Sequence, residues 1–190
     1  MVDMESILAQ RIARERAQRG WSLAEVAERS GVSRSMLSKI EREEVSPTTT
    51  VLVRIGIAFG ITLAELLTAP TTIDSRLARA GDQPIWVDPK TGYRRRQIYL
   101  SAAMPLELTE IELPAKASVA VPGYSYELIR QVVWVLKGSL TISEGASHTT
   151  LEHGDRLEFG SPADVVFENE SDKPCCYVVA VLRMANRLSA

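Results

Sequence analysis

Few residues of this 190-residue chain invite chemistry, and the first of them sit close together. In VSRSMLSKIEREE, Val32 to Glu44, Arg34 falls in the first turn of a short predicted helix, while Glu41, Glu43 and Glu44 crowd its end. A helix alone prefers acids at its N-terminus and bases at its C-terminus, by ~0.3–1 kcal/mol per charge. A cation held against the positive pole calls for an external anion. Elsewhere the chemistry is sparse. The two histidines, His148 and His153, fall on a predicted strand pair and its turn, where a histidine is ordinarily just solvated. Cys175 and Cys176 are neighbours in an apolar strand and read as packing residues, with oxidant sensing as the alternative. No pair of side chains stands out as general acid and base.

Two textures of sequence position these residues. Up to about Leu67 the pattern is helical and punctuated by caps. ESILAQRIARERAQRG sets Leu8 and Ile12 four apart and stops at Gly20, a normal terminator. Ser22 with Glu25 three residues later makes a capping box. Gly31 follows, then Ser33 as the next N-cap. Ser46-Pro47 is expected to start a fourth helix with Leu52, Ile55 and Phe59 inward and Gly60 at its end. Thr62 with Glu65 opens a fifth. Residues 69–84, rich in Pro, Thr and Gly, read as a linker between a helical domain at 1–68 and a second domain at 85–190. Beyond it, short runs rich in Val, Ile, Tyr and Thr, broken by Gly or Pro, predict an antiparallel sandwich or barrel. The expected class is therefore multidomain α+β.

Composition narrows the partners. Net charge is −2, and residues 1–68 hold nine Lys/Arg against nine Asp/Glu, so any polyanion surface must be a local patch. Adjacent cysteines give no disulfide framework, which fits a reducing compartment. The start MVDMESILAQR lacks the pattern of a signal peptide and no apolar run approaches a membrane span, so a cytoplasmic location is expected.

The pair SLAEVAERSGVSRSMLSKIERE is two short helices joined at Ser30-Gly31-Val32. With the caps around it, through SPTTTVLVRIGIAFGITLAELL, the segment resembles the Cro/lambda-repressor-like (XRE) helix-turn-helix family over nearly all of residues 5–68. The resemblance implies a five-helix bundle that binds double-stranded DNA. Ser33 to Glu41 would be the recognition helix, its N-terminal residues entering the major groove, which supplies the anion that Arg34 lacks. By position in the motif, Arg34, Ser35 and Lys39 would face base edges, with Ser38 as a weaker candidate. Met36, Leu37 and Ile40 would point inward. Ser22, Arg42 and Thr49 would contact the DNA backbone. Glu41 matches a family glutamate that pairs with a helix-one arginine, here Arg16. Leu23 stands where relatives carry a base-reading Gln, and Glu43 replaces the usual Gly after the helix.

VVWVLKGSLTI followed by LEHGDRLEFGSPADVVFEN resembles a cupin, a double-stranded β-helix (jelly-roll) barrel, over residues 105–183, with tight turns at Gly138 and Gly154-Asp155. The combined architecture resembles the XRE-cupin regulators, in which a barrel that senses a small molecule follows the DNA-binding bundle. The cupin metal positions hold Ser125, Glu127, Gln131 and Val165 here, a poor set for a transition metal, so no metal or other cofactor is expected. Tyr124, Ser125, Tyr126, Glu127 and Gln131 are the candidates for an unidentified effector at that place; the alternative is that they fill the barrel. Arg94 and Arg96 share a strand face that reads as solvated.

QVVWVLK sets Gln131, Val133 and Val135 on one face and Val132, Trp134 and Leu136 on the other. YVVAVL, residues 177–182, is apolar on both faces, so something covers the outer side. A second subunit fits, since helix-turn-helix proteins read two half-sites as symmetric dimers on palindromic operators; a preceding strand or the linker of the same chain is the alternative. The expectation is a homodimeric, effector-responsive regulator and not an enzyme. A constitutive repressor using the cupin only as a scaffold is the competitor, ahead of a metal-free cupin enzyme. The ligand set carries a test: elemental analysis of purified protein should find no stoichiometric transition metal, and a chelator should leave its melting temperature unchanged. Tight iron or zinc would overturn that reading.

Overall fold

A computed structural model describes residues 4–67, 76–101, 104–127 and 129–184 of the chain. The chain divides into two compact units, residues 1–72 and 73–190. Of the expected linker, residues 69–75 lie outside the described residues, and 76–84 carry only a short 3-10 turn at Ala80–Asp82.

The first unit holds α1 (Met4–Gln18), α2 (Leu23–Ser30), α3 (Arg34–Glu41), α4 (Thr49–Phe59) and α5 (Leu63–Leu67). None is long enough to be stable alone in water, so burial of one face must hold them. Leu8 and Ile12 of α1, Val26 of α2, Leu37 and Ile40 of α3, Leu52 and Ile55 of α4 and Leu66 of α5 are all buried. The expected punctuation is present. Ser22 and Glu25 form a reciprocal capping box at α2, and Thr62 and Glu65 exchange the same two bonds at α5. Gly31 ends α2 in the left-handed conformation, φ 66°.

Two expectations are corrected. The fourth helix does not start at Ser46-Pro47. Thr48 remains extended and serves as N-cap, while the Ser46 hydroxyl bonds the Glu5 carboxylate instead of capping. Met36 does not point inward; it is 37 % exposed, because Leu37 and Ile40 define the buried stripe and Met36 flanks it.

The exit of α3 explains how the chain manages without the family's glycine. Glu44 N–H donates to the Lys39 carbonyl at 2.9 Å and Glu43 N–H to the Ile40 carbonyl at 3.0 Å, the two bonds of a Schellman cap. That cap needs a left-handed residue, and Glu43 adopts φ 61°. The turn is kept and the strain is carried by a non-glycine residue.

The second unit is built from β1 (Ile85–Val87), β2 (Arg94–Leu100), β3 (Leu106–Leu113), β4 (Ser118–Val121), β5 (Ile129–Lys137), β6 (Leu140–Glu144), β7 (Ser147–Leu151), β8 (Arg156–Glu158), β9 (Val165–Glu168) and β10 (Cys175–Arg183). They form a six-stranded sheet, β1-β2-β3-β10-β5-β8, and a four-stranded sheet, β4-β9-β6-β7, with every pairing antiparallel. This is the jelly-roll arrangement expected for a cupin. The sheets meet through a run of rings: Tyr126 on Phe159 (5.8 Å), Phe159 on Phe167 (6.0 Å) and Phe167 on Tyr177 (6.0 Å). Gly138 turns β5 into β6 at φ 82°, with Cys175 and Pro174 backbone atoms where a Cβ would sit. β1 and β4, too short to show periodicity, were not expected from the sequence.

The Glu43 strain sets a measurable expectation. Glu43→Gly should raise the unfolding free energy by ~1 kcal/mol in denaturant titration, the cost of a left-handed L-residue. Glu43→Gln, which keeps the strain and drops the charge, should change it by less than ~0.5 kcal/mol.

Candidate functional site

The exposed face of α3 follows from its anchors. With Leu37 and Ile40 buried, a 3.6-residue period turns Arg34, Ser35, Lys39 and Arg42 outward, and Ser38 half-outward. All five lie on one face. Ser33 caps the helix by accepting the Met36 N–H at 3.2 Å, so Arg34 is its first helical residue.

The helix is aimed by an ion pair. Arg16 of α1 grips Glu41 with two bonds, Nε to Oε1 at 2.7 Å and Nη2 to Oε2 at 2.9 Å, and donates from Nη1 to the Trp21 carbonyl at 3.1 Å. One side chain thus ties α1, the turn before α2, and the end of α3. Both partners are largely shielded, so a planar fork fixes direction here and does more than a surface pair would. Ser30 completes the turn: its hydroxyl donates to the Val26 carbonyl at 2.6 Å and accepts the Val32 N–H at 3.2 Å.

The expected backbone contacts differ from one another. Arg42 is exposed, but its Nε and Nη2 hold Glu44 at 2.7 and 3.2 Å and its Nη1 holds Ser38 at 2.8 Å. That pair is solvent-exposed and therefore weak. Ser22 already accepts the Glu25 N–H, while Glu25 accepts the Ser22 N–H and is acidified mainly by that bond. Only the Ser22 hydroxyl proton is left for an outside acceptor. Thr49 is a correction. It is 3 % exposed, because the later start of α4 turns its side chain into the bundle.

In the second unit, the candidates separate by direction. Tyr124, Ser125 and Tyr126 lie on a 3-10 turn, Gly123–Tyr126. Its place is fixed by the Gly123 N–H on the Asp164 carboxylate at 2.7 Å and by a close approach to Ala163 that only glycine allows. Residues three apart on such a turn eclipse each other, which puts Tyr124 and Glu127 together on the outside. Both are exposed, against the expectation that they line the barrel. Tyr126 and Gln131 do face inward, and the Ser125 hydroxyl is buried without a partner.

These residues do not fit a metal. One ligand place is the methyl groups of Val165, 1 % exposed; another is an amide, and the carboxylate of Glu127 lies outside. Burial pushes the Tyr126 hydroxyl well above its ordinary pKa, although the adjoining Gln131 opposes the rise. Tyr93 and Tyr177 are likewise raised by burial, with Arg95 opposing in both. Arg95 was missed in the sequence. The available signal was the alternation of Arg94-Arg95-Arg96, which sends the middle residue to the face opposite its neighbours.

The Helix-turn-helix family HTH_3 matches residues 12–66. The HTH-type transcriptional regulator SutR of Escherichia coli K12 is 24% identical over 173 residues, 91% of this chain and 93% of that one. The uncharacterized HTH-type transcriptional regulator y4dJ of Sinorhizobium fredii is 36% identical over 67 residues, 35% of this chain and 87% of that one. Among solved structures, an HTH_3 family transcriptional regulator from Vibrio cholerae aligns with a TM-score of 0.79 at 20% identity, over 96% of this chain and 98% of that chain. FeII HppE aligns at 0.50 and 16% identity, over 95% of this chain and all of that chain, a likeness of fold alone. A helical unit whose reading helix is held by Arg16 and Glu41, followed by a cupin-type β-domain, thus places the chain in the HTH_3 (XRE-type) helix-turn-helix family of transcriptional regulators.

Proposed function

We propose that the protein is a dimeric, sequence-specific DNA-binding regulator whose cupin domain takes a small-molecule effector. The observation that carries this reading is the face of α3. Arg34, Ser35, Lys39 and Arg42 stand exposed, and Ser38 half-buried beside them, on a helix whose opposite side is fixed by Leu37, Ile40 and the Glu41–Arg16 pair. Arg34 and Lys39 suit guanine O6 and N7, and Ser35 and Ser38 can donate or accept at several bases. Arg42, released from Glu44, and the Ser22 hydroxyl suit phosphate oxygens, which fix register without reading sequence. Thr49 is left out for its burial. A DNA-bound Arg34 also removes the electrostatic misfit of its position, since phosphate replaces the missing anion at the helix N-terminus.

Dimerisation is supported by the outer face of the six-stranded sheet. In register, Val178 lies beside Trp134 and Ala180 beside Val132, with Arg156 and Glu158 of β8 at the rim. Trp134 is 51 % exposed, which is unusual for so large a ring at the centre of a strand. A second copy of this chain is the occupant we favour, because two reading helices must be held one DNA turn apart. The barrel interior is the effector site in this reading, with Tyr126 and Gln131 from the expected set. A role in catalysis is not assigned, and the site of action is the cytoplasm, where the operator is.

Two outcomes are expected. Arg34→Ala should weaken the cognate operator by ~1–3 kcal/mol and relax preference at one base pair, read in binding titrations against single-base variants. Equal loss on all sequences would make Arg34 a phosphate contact. The full chain should sediment as a dimer at micromolar concentration, and Trp134→Glu should shift it toward monomer. If that variant stays as dimeric as wild type, the sheet face is not the interface.

A further inference from the structure

The inner wall of the cupin domain holds a cation that, among the described residues, no carboxylate answers. Arg94 and Arg96 of β2 face outward, in register with Glu112 and Glu110 of β3, and Arg96 bonds Glu110 at 2.5 Å. Arg95 faces the other way, in register with the buried Ile111 and Trp86. Its Nη2 donates to Thr109 Oγ1 at 2.9 Å and more loosely to Gln97 Oε1 at 3.4 Å, both neutral. Its Nε is buried and meets no acceptor. The buried carboxylate of the same sheet, Glu107, sits with Arg183 at 3.5 Å. Among the described residues, Arg95 makes no ion pair.

A second deficit lies on the same inner wall. Gln131 of β5 is 6 % exposed, and its amide Nε2 has no acceptor, although the side chain lies against the Tyr126 hydroxyl. Tyr93 bonds Arg95 and lies within electrostatic reach of Tyr126 and Tyr177, which links the two places. β10 runs between them in the sheet, and its inward Val179 and Val181 are only part-buried, so solvent reaches this wall. Both deficits have one sign: they are donors lacking acceptors. A shielded, unpaired guanidinium and a buried amide without a partner each cost free energy unless something external supplies oxygen and negative charge. A polyamine or a neutral sugar leaves Arg95 unanswered.

We propose that the barrel binds an oxyanion, the carboxylate or phosphate of a small metabolite, with Arg95 as its counter-charge and Gln131 Nε2 as an orienting donor. This deepens the effector reading and rests on it. Arg95 offers Nε and an adjacent Nη as a fork matched to two oxygens of one group. Tyr93, kept protonated by burial, can add a hydroxyl, and Gln131 fixes the distal part of the molecule.

The test uses the full chain without DNA, so that its failure and a failure of operator binding are separate results. Thermal melts are recorded in sodium phosphate and in sodium succinate, each against sodium chloride at matched ionic strength. At least one of the two should raise the melting temperature saturably above chloride in wild type, and which one does identifies the headgroup. Arg95→Gln should respond no more than to chloride. Without any added oxyanion it should melt at or above wild type, having lost an unpaired charge. Gln131→Leu, which keeps Arg95, should weaken the response roughly five- to tenfold, the equivalent of one hydrogen bond. The proposal is overturned if neither oxyanion exceeds chloride in wild type, if Arg95→Gln responds like wild type, or if that variant alone melts far below it.

Discussion

The exposed face of α3 depends on how an eight-residue helix is held. α3 is far too short to persist alone, so its existence and its direction both come from contacts. Leu37 and Ile40 supply most of the attachment, at ~1.5–3 kcal/mol for each buried side chain. Two apolar anchors fix a helix on a surface but leave it free to roll. The Arg16–Glu41 fork removes that freedom, because two parallel bonds define a plane and a direction. The same arginine holds the Trp21 carbonyl, so the scaffold and the reading helix share one hinge-free joint.

The acids around α3 then take distinct parts. Glu41 aims the helix, and Glu43 carries the left-handed turn that ends it. Glu44 engages Arg42 in solvent, where such a pair is worth little. Bulk charge says nothing of this, since the chain is slightly acidic overall. The positive patch is local and arises from side chains that the fold leaves on one face.

In the β-domain the same logic runs with a period of two. Strand alternation sends Trp134 outward and Gln131 inward from one run of nine residues, and it splits Arg95 from Arg94 and Arg96. Outer Arg96 bonds Glu110 across the strand pair and Arg94 lies in register with Glu112, whereas the inner arginine finds hydroxyl and amide groups. Although the cupin ligand places hold groups that do not fit a metal, the interior therefore still carries charge and donors. Its apolar end is filled by the stacked rings of Tyr126, Phe159, Phe167 and Tyr177.

The sequence by itself determined whatever is local. Capping boxes at Ser22 and Thr62, the left-handed glycines 31 and 60, and the inward faces of α4 and β5 are set by neighbours within one turn or one pleat, so residue type reveals them. Even the Arg16–Glu41 pair was legible, because a known pattern carries its spacing. The tertiary structure decided what depends on distant partners. Ser46 fails to cap because Glu5 occupies its hydroxyl, and Thr49 turns inward because it is the first helical residue after an extended Thr48. Met36 emerges because only two positions of α3 reach the core. Tyr124 and Glu127 leave the barrel because a 3-10 turn, held by Asp164 and Ala163 forty residues away, sets their direction. Arg95 was divided from its neighbours by alternation alone, but that it lacks a counter-charge is known only once the facing strands are in place. Short-range chemistry writes itself into spacing; long-range pairing does not, since the chain gives no sign of which distant residue will arrive.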